Sequence, residues 1–269
     1  MQSNSPDQHS IPKISVKIGI VFRKLSIAIL FANFCTENEV NFKKTCKILL
    51  FLQSERNSKM TKNLWKEIGN TPIDFATLAA FFPEYKCKYN KISALEKGKT
   101  LLRLKQGLYV PTSQASGRLL SEGLIANHLY GPSYVSMQYA LRYYGLIPEQ
   151  VHTVSSITTK RSRIFQNSLA RFEYVHVEES VFHIGVRMEK TANGSSFLIA
   201  SPEKALCDLI ADISYLNLRY RNEILIWLED DIRFDMDELF RFDTNILREY
   251  AMVGKKKNMI NQLIRIIES

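Results

Sequence analysis

The sequence predicts an α+β chain behind a separate amino-terminal segment, and three observations carry that prediction. Capped helical patterns open and close the chain, while alternating strand patterns are concentrated in its middle. At 269 residues with 45% hydrophobic content it holds enough apolar material for two cores. Its charge is uneven: residues 1–59 and 60–111 each carry nine Lys/Arg against four Asp/Glu, whereas residues 112–269 are near neutral within a total of +9. Aromatic content of 11% and charge of 23% exclude a low-complexity chain. Cys35, Cys46, Cys87 and Cys207 are scattered without a CxxC spacing. That pattern argues against a zinc ribbon or a disulfide framework and points to the cytoplasm.

Residues 1–59 read separately. Lys13, Lys17, Arg23 and Lys24 precede an apolar run, as in a secretory signal, but Leu25–Phe34 is half the length of a spanning helix and no small-x-small site follows. The expectation is an upstream extension or a poorly ordered arm, with Met60 as the functional start. Organised patterning begins only after Met60-Thr61-Lys62-Asn63.

Residues 60–111 predict a winged helix-turn-helix. Thr71-Pro72 reads as a helix opening, a hydroxyl cap followed by proline at the first helical position. Ile73, Ala76, Leu78, Ala79 and Phe82 supply its apolar face. The second helix is Lys88 to Lys97, with Tyr89, Ile92 and Leu95 on one face and Gly98 as its stop. Leu101 to Pro111 then reads as a β-hairpin turning at Lys105-Gln106-Gly107. In that geometry the second helix enters the major groove and the hairpin lies along the backbone. Lys88, Asn90, Lys91 and Ser93 are therefore the candidate contacts to phosphates or base edges, with Arg103 and Lys105 on phosphates. The plain alternative is an amphipathic helix pair with a solvated lysine face.

Residues 112–269 predict helices, a small mainly antiparallel sheet, and a helical tail. Gly117–Tyr130 and Ser133–Tyr144 read as helices. Gln150–Thr158, Phe172–Val177, Phe182–Met188 and Ser196–Ala200 read as strands, the last two joined by an Asn193-Gly194 turn. Ser201-Pro202-Glu203 opens a helix whose core face is Ala205, Leu206, Leu209, Ile210 and Ile213. Asp235 caps a later helix and Lys255-Lys256-Lys257 begins the last one.

No motif in this part points to catalysis. His176 and His183 lack Cys, Asp or Glu at ligand spacing. Glu203, Lys204 and Asp208 invite a metal-dependent nuclease reading, but adjacent residues diverge by about 100° on a helix. Glu203 is expected to serve the helix N-terminus, and Asp208 to pair with Lys204 at the i,i+4 spacing. Cys207 reads as a small core residue. GxSxG, GxxxxGK and GxGxxG are absent from the sequence. Lys160, Arg161 and Arg163 form the one basic cluster here, a candidate RNA- or phosphate-contacting surface against the commoner outcome of a solvated loop.

Several pieces in fixed order resemble one family: Arg103–Pro111, Ile125-Ala126-Asn127, Pro132–Ser136, Ala140-Leu141 with Tyr144-Gly145-Leu146, Thr158–Arg163 and Ser201–Asp208. These resemble the AbiEi-type antitoxins, described also as transcriptional regulators of viral defence systems, over residues 64–215. The resemblance implies the antitoxin of a type IV toxin–antitoxin, or abortive infection, system. It implies a winged helix that represses its own promoter and a second domain opposing an AbiEii-like nucleotidyltransferase toxin without a necessary tight complex. No cofactor, metal or membrane is expected, and two copies or cooperative binding on inverted repeats is. A metal-dependent nuclease, or a ligand-sensing repressor without a toxin, remains the alternative.

Overall fold

The computed structural model describes residues 64–191 and 194–269. The expectations for residues 1–59, for the Met60 start and for Asn193 lie outside those residues. Within them the chain is α+β, with two sheets and two apolar clusters.

The first cluster gathers Trp65, Leu78, Ala79, Phe82, Ile92, Leu101 and Tyr109. Residues 64–68 are helical. Strand β1 (Ile73–Asp74) follows, then helix α1 (Phe75–Ala80), helix α2 (Lys88–Lys97), and strands β2 (Leu101–Lys105) and β3 (Leu108–Pro111). The predicted helix opening at Thr71-Pro72 is thus corrected. Ile73 and Asp74 pair with Tyr109 and Leu108, making the hairpin a three-stranded sheet in the order β1-β3-β2. Asp74 is the actual cap, its carboxylate accepting from the Thr77 amide at 2.7 Å. That bond and the neighbouring Thr77 hydroxyl hold the Asp74 carboxyl below its ordinary value. Gly98 ends α2 as expected, at its C-cap, and Lys99 takes the left-handed turn that follows, at φ 54°.

The second cluster fills the rest. After α3 (Ser113–Ser116) and α4 (Glu122–Leu129) come β4 (Ser133–Val135), α5 (Met137–Tyr143), β5 (Thr153–Thr158), β6 (Arg163–Gln166) and β7 (Arg171–His176). Next are α6 (Glu179–Phe182), β8 (Val186–Lys190), β9 (Ser196–Ala200) and α7 (Pro202–Asp212). The tail is α8 (Arg221–Ile226) with a π-helical turn over Trp227–Asp231, α9 (Met236–Leu239), α10 (Thr244–Val253) and α11 (Lys257–Ile267). Asp235 caps α9 as expected, accepting from the Asp237 and Glu238 amides.

The sheet has six strands in the order β6-β7-β5-β4-β9-β8. It is mixed: β5 runs parallel to β7 and β4 parallel to β9, with the other three pairings antiparallel. Two predicted elements change. Residues 133–135 are a strand wedged between β5 and β9, so the expected helix shortens to α5. The alternation over Phe182–Met188 is only half a strand: Glu179–Phe182 is a helical turn, and Gly185 at φ 60° reverses the chain before β8. Gly123 lets α4 lie against the sheet, since a Cβ there would stand 2.5 Å from the Phe197 ring.

Candidate nucleic-acid interface

Helix α2 is seated by Ile92, which is buried against the first cluster. At about 100° per residue, Ile92 sets the inward direction, and Asn90, Ala94 and Lys97 face away from it, all exposed. Lys86 and Lys99 flank the helix, also exposed. Among the sequence candidates, Asn90 is fully presented, while Lys88, Lys91 and Ser93 are half-buried on its flanks. The Lys91 ammonium lies 4.6 Å from the Tyr85 ring and 5.7 Å from Phe82, a cation–π seat that draws it toward the core. Tyr89 corrects the predicted apolar face: it is 63% exposed, beside Asn90. Tyr89 and Lys97 are the residues that sequence reasoning missed. Centring the helix on Ile92 alone would have found Lys97, whereas Tyr89 lies only about 60° from Ile92 and stands outside the apolar cluster by tertiary packing.

The hairpin places its two basic candidates differently. Arg103 is exposed. Lys105 is half-buried. Its ammonium donates to the Leu129 carbonyl at 2.5 Å and stands 5.9 Å from the Phe165 ring. There it meets the basic cluster of the second part. Lys160 donates to the Gly131 carbonyl at 2.5 Å and lies 5.5 Å from the Tyr130 ring. The Arg163 guanidinium lies 5.4 Å from Phe165 and 5.9 Å from Tyr130. Partial burial and the charges of Lys160 and Arg163 hold the Lys105 ammonium below its ordinary value.

None of these three cations joins an ion pair among the described residues. Lys160 and Arg161 lie on an exposed loop. Arg163 opens β6, paired with Tyr174, and only residues 159–162 lie between strands. Arg161 is exposed, and its carbonyl accepts from the Tyr130 hydroxyl at 3.2 Å. Mutually repelling cations on aromatic faces, with no carboxylate to neutralise them, are suited to a phosphate.

The polar residues of α7 take a different part. Ser201 caps the helix, accepting from the Lys204 amide at 3.3 Å. Lys204 and Asp208 form the expected i,i+4 pair at 2.8 Å, with both side chains fully buried. Asp208 also accepts from Tyr134 at 3.0 Å and from Ser136 at 2.7 Å. Lys204 donates to the Val181 carbonyl at 3.1 Å, its ammonium 4.4 Å from the Tyr250 ring. Burial pushes the Asp208 carboxyl up, against the opposing pull of Lys204, Ser136 and Tyr134.

Glu203 stands in the first turn of α7, as expected, and also reaches another helix. Its Oε1 accepts from the Asp243 amide at 3.2 Å, at the cap of α10. Glu203 and Asp208 therefore engage different groups. His176 contacts the Lys160 carbonyl through Nδ1 at 3.1 Å, and His183 stacks edge-on to Phe182. Among the described residues no three His, Cys, Asp or Glu side chains converge to hold a metal ion. Burial raises the Cys207 thiol far above its ordinary value.

A cavity of about 430 Å³ opens at the carboxyl ends of β5 and β7, between the sheet and helices α7 and α10. Ile157, Val175 and Val181 line its apolar wall, with Asp208 and Tyr250 beside them. Tyr250 is 1% exposed, and hydrogen bonds among the described residues leave its hydroxyl without a partner. No helix among the described residues is long and apolar enough to cross a membrane. Compared with known proteins, the chain matches no family model and no curated protein.

Proposed function

We propose that this chain is a DNA-binding regulator of the antitoxin type. In this reading residues 60–111 act as a winged helix on the chain's own promoter, and residues 112–269 oppose a nucleotidyltransferase-type toxin. The observation that supports it best is the exposure of Tyr89, Asn90 and Lys97 on α2 together with exposed Arg103 on the hairpin. A helix followed by a basic hairpin is the arrangement that sets base-edge readers beside phosphate contacts. The cluster of Lys105, Lys160 and Arg163 extends the cationic surface past the hairpin, so the reading assigns it to backbone phosphates as well. The antitoxin part rests on the ordered resemblance to AbiEi-type proteins, and with it the non-enzymatic role.

The test has two arms. Promoter DNA is titrated with the full chain at several salt concentrations, for the wild type and for Lys97→Ala and Arg103→Ala. Binding that weakens with salt, with a slope reduced by about one for each substitution, is expected. Binding indifferent to both salt and substitution overturns the DNA reading. Separately, the neighbouring gene is induced in a bacterial host with this chain supplied in trans. Rescue of growth is expected, and a neighbour harmless on its own overturns the antitoxin part.

One observation favours a second reading, a ligand-responsive repressor. The cavity beside Asp208 falls in the size range of small-molecule sites and carries an unpartnered hydroxyl on an apolar wall. A small molecule that alters promoter binding while the neighbouring gene proves harmless would select that reading.

A further inference from the structure

Among the described residues strand β8 ends the six-stranded sheet and hydrogen-bonds to β9 alone, leaving one edge open. Long open edges invite pairing with another chain. The direction of its main-chain groups follows from two flanking bonds: the Ser201 amide donates to the Gly185 carbonyl, and the Thr191 amide to the Ser195 carbonyl, each at 2.7 Å. The register between β8 and β9 is continuous. In an antiparallel ladder such groups alternate. Residues 185, 187, 189 and 191 therefore point theirs at β9, and Val186, Met188 and Lys190 point theirs outward.

We infer that this edge pairs with the same edge of a second copy of the chain, antiparallel about a two-fold axis through Met188. In that register Met188 faces its own counterpart, and Val186 faces Lys190 of the other copy. The outward groups then form about six main-chain hydrogen bonds. Arg187 falls opposite Glu189 of the other copy, and Glu189 opposite Arg187, in the closer type of cross-strand pair. Neither residue has an ion pair among the described residues.

Moving the axis to Arg187 or to Glu189 sets like charges face to face, so charge selects this register over its neighbours. The other side of the sheet gains an apolar ladder. Met188 is 68% exposed and lies opposite Leu198 of β9, itself 38% exposed. Across the axis the order becomes Leu198, Met188, Met188, Leu198, covering two exposed apolar side chains in each copy. The joined copies share a continuous sheet, and the two-fold axis makes the interface isologous.

Sedimentation of the full chain, without DNA, tests this apart from any question of DNA binding. The wild type sediments as a dimer at micromolar concentration. Met188→Pro removes an outward amide from an edge position where proline is tolerated, and it sediments as a monomer with an unchanged circular dichroism spectrum. Glu189→Arg weakens the dimer about tenfold or more, the equivalent of about 1.4 kcal/mol, by placing arginine opposite arginine twice. The double variant Arg187→Glu with Glu189→Arg restores opposite charges and recovers the affinity. A wild type that stays monomeric overturns the inference. So does a dimer indifferent to Met188→Pro, or a double variant no tighter than Glu189→Arg alone.

Discussion

Replacing Lys204 by Met tests what holds the second part of the chain together. The side chain is fully buried and donates to Asp208 at 2.8 Å and to the Val181 carbonyl at 3.1 Å. Methionine fills a similar volume but removes the cation. One charge-assisted bond is lost, worth roughly 1.5–3 kcal/mol, and the Val181 carbonyl is left short of a partner at roughly 1–3 kcal/mol. The expected cost is about 3–5 kcal/mol, the usual penalty for breaking a buried pair from one side. It has a definite pH dependence. Burial already raises the Asp208 carboxyl, and losing Lys204 raises it further. The folded state then holds its proton more tightly than the unfolded chain does. Stability therefore falls as pH rises above the unfolded carboxylate range, and is recovered as pH falls back through it.

Urea unfolding at pH 8 and pH 5.5, followed by circular dichroism, measures both the cost and its slope. The double variant Lys204→Met with Asp208→Leu removes both charges and with them the pH dependence, though it also leaves the Tyr134 and Ser136 hydroxyls without their acceptor. A loss under about 1 kcal/mol, or a loss equal at both pH values, would show that the pair is not the buried, mutually dependent unit the geometry describes.

Three further outcomes follow from the packing. Gly123→Ala drives a methyl into the Phe197 ring and should destabilise by about 1–3 kcal/mol, read as a lower Tm; an unchanged Tm means that α4 and β9 can separate freely. Ser201→Ala removes the cap of α7 and should cost about 1 kcal/mol in chemical unfolding, with Ser201→Thr largely preserving it. Alkylation of the native chain, mapped by peptide mass spectrometry, should modify exposed Cys87 and spare Cys207, whose thiol is buried and raised well above the physiological range. Equal labelling of the two would mean that α7 opens in the folded state.

Elements whose signals are local were legible in the sequence. The Ser201-Pro202 start of α7 needs only a hydroxyl and a proline, and the Lys204–Asp208 spacing needs only helical geometry. The hairpin turn at Gly107 needs only a residue that accepts positive φ, which it takes at 77°. The Asp235 cap is of the same kind. Elements that depend on a distant neighbour were not legible. Ile73-Asp74 is a strand because Tyr109 and Leu108, more than thirty residues on, present an open edge to it. Residues 133–135 become a strand between β5 and β9 for the same reason.

The candidate site divides along the same line. Its residue types, lysine and arginine without nearby acids, are a property of the sequence, as is the uneven charge that separates the first 111 residues from the rest. The tertiary structure alone decided which of them stand together. Lys105 comes from the hairpin, Lys160 and Arg163 from the turn into β6, and only packing of the hairpin beside Leu129 and Phe165 unites them. It also turned Tyr89 outward and buried Glu203 against the cap of α10. Caps and turns are set by the backbone within a few residues. Sheet pairing and side-chain convergence are set by which surfaces meet, and that is decided across the whole fold.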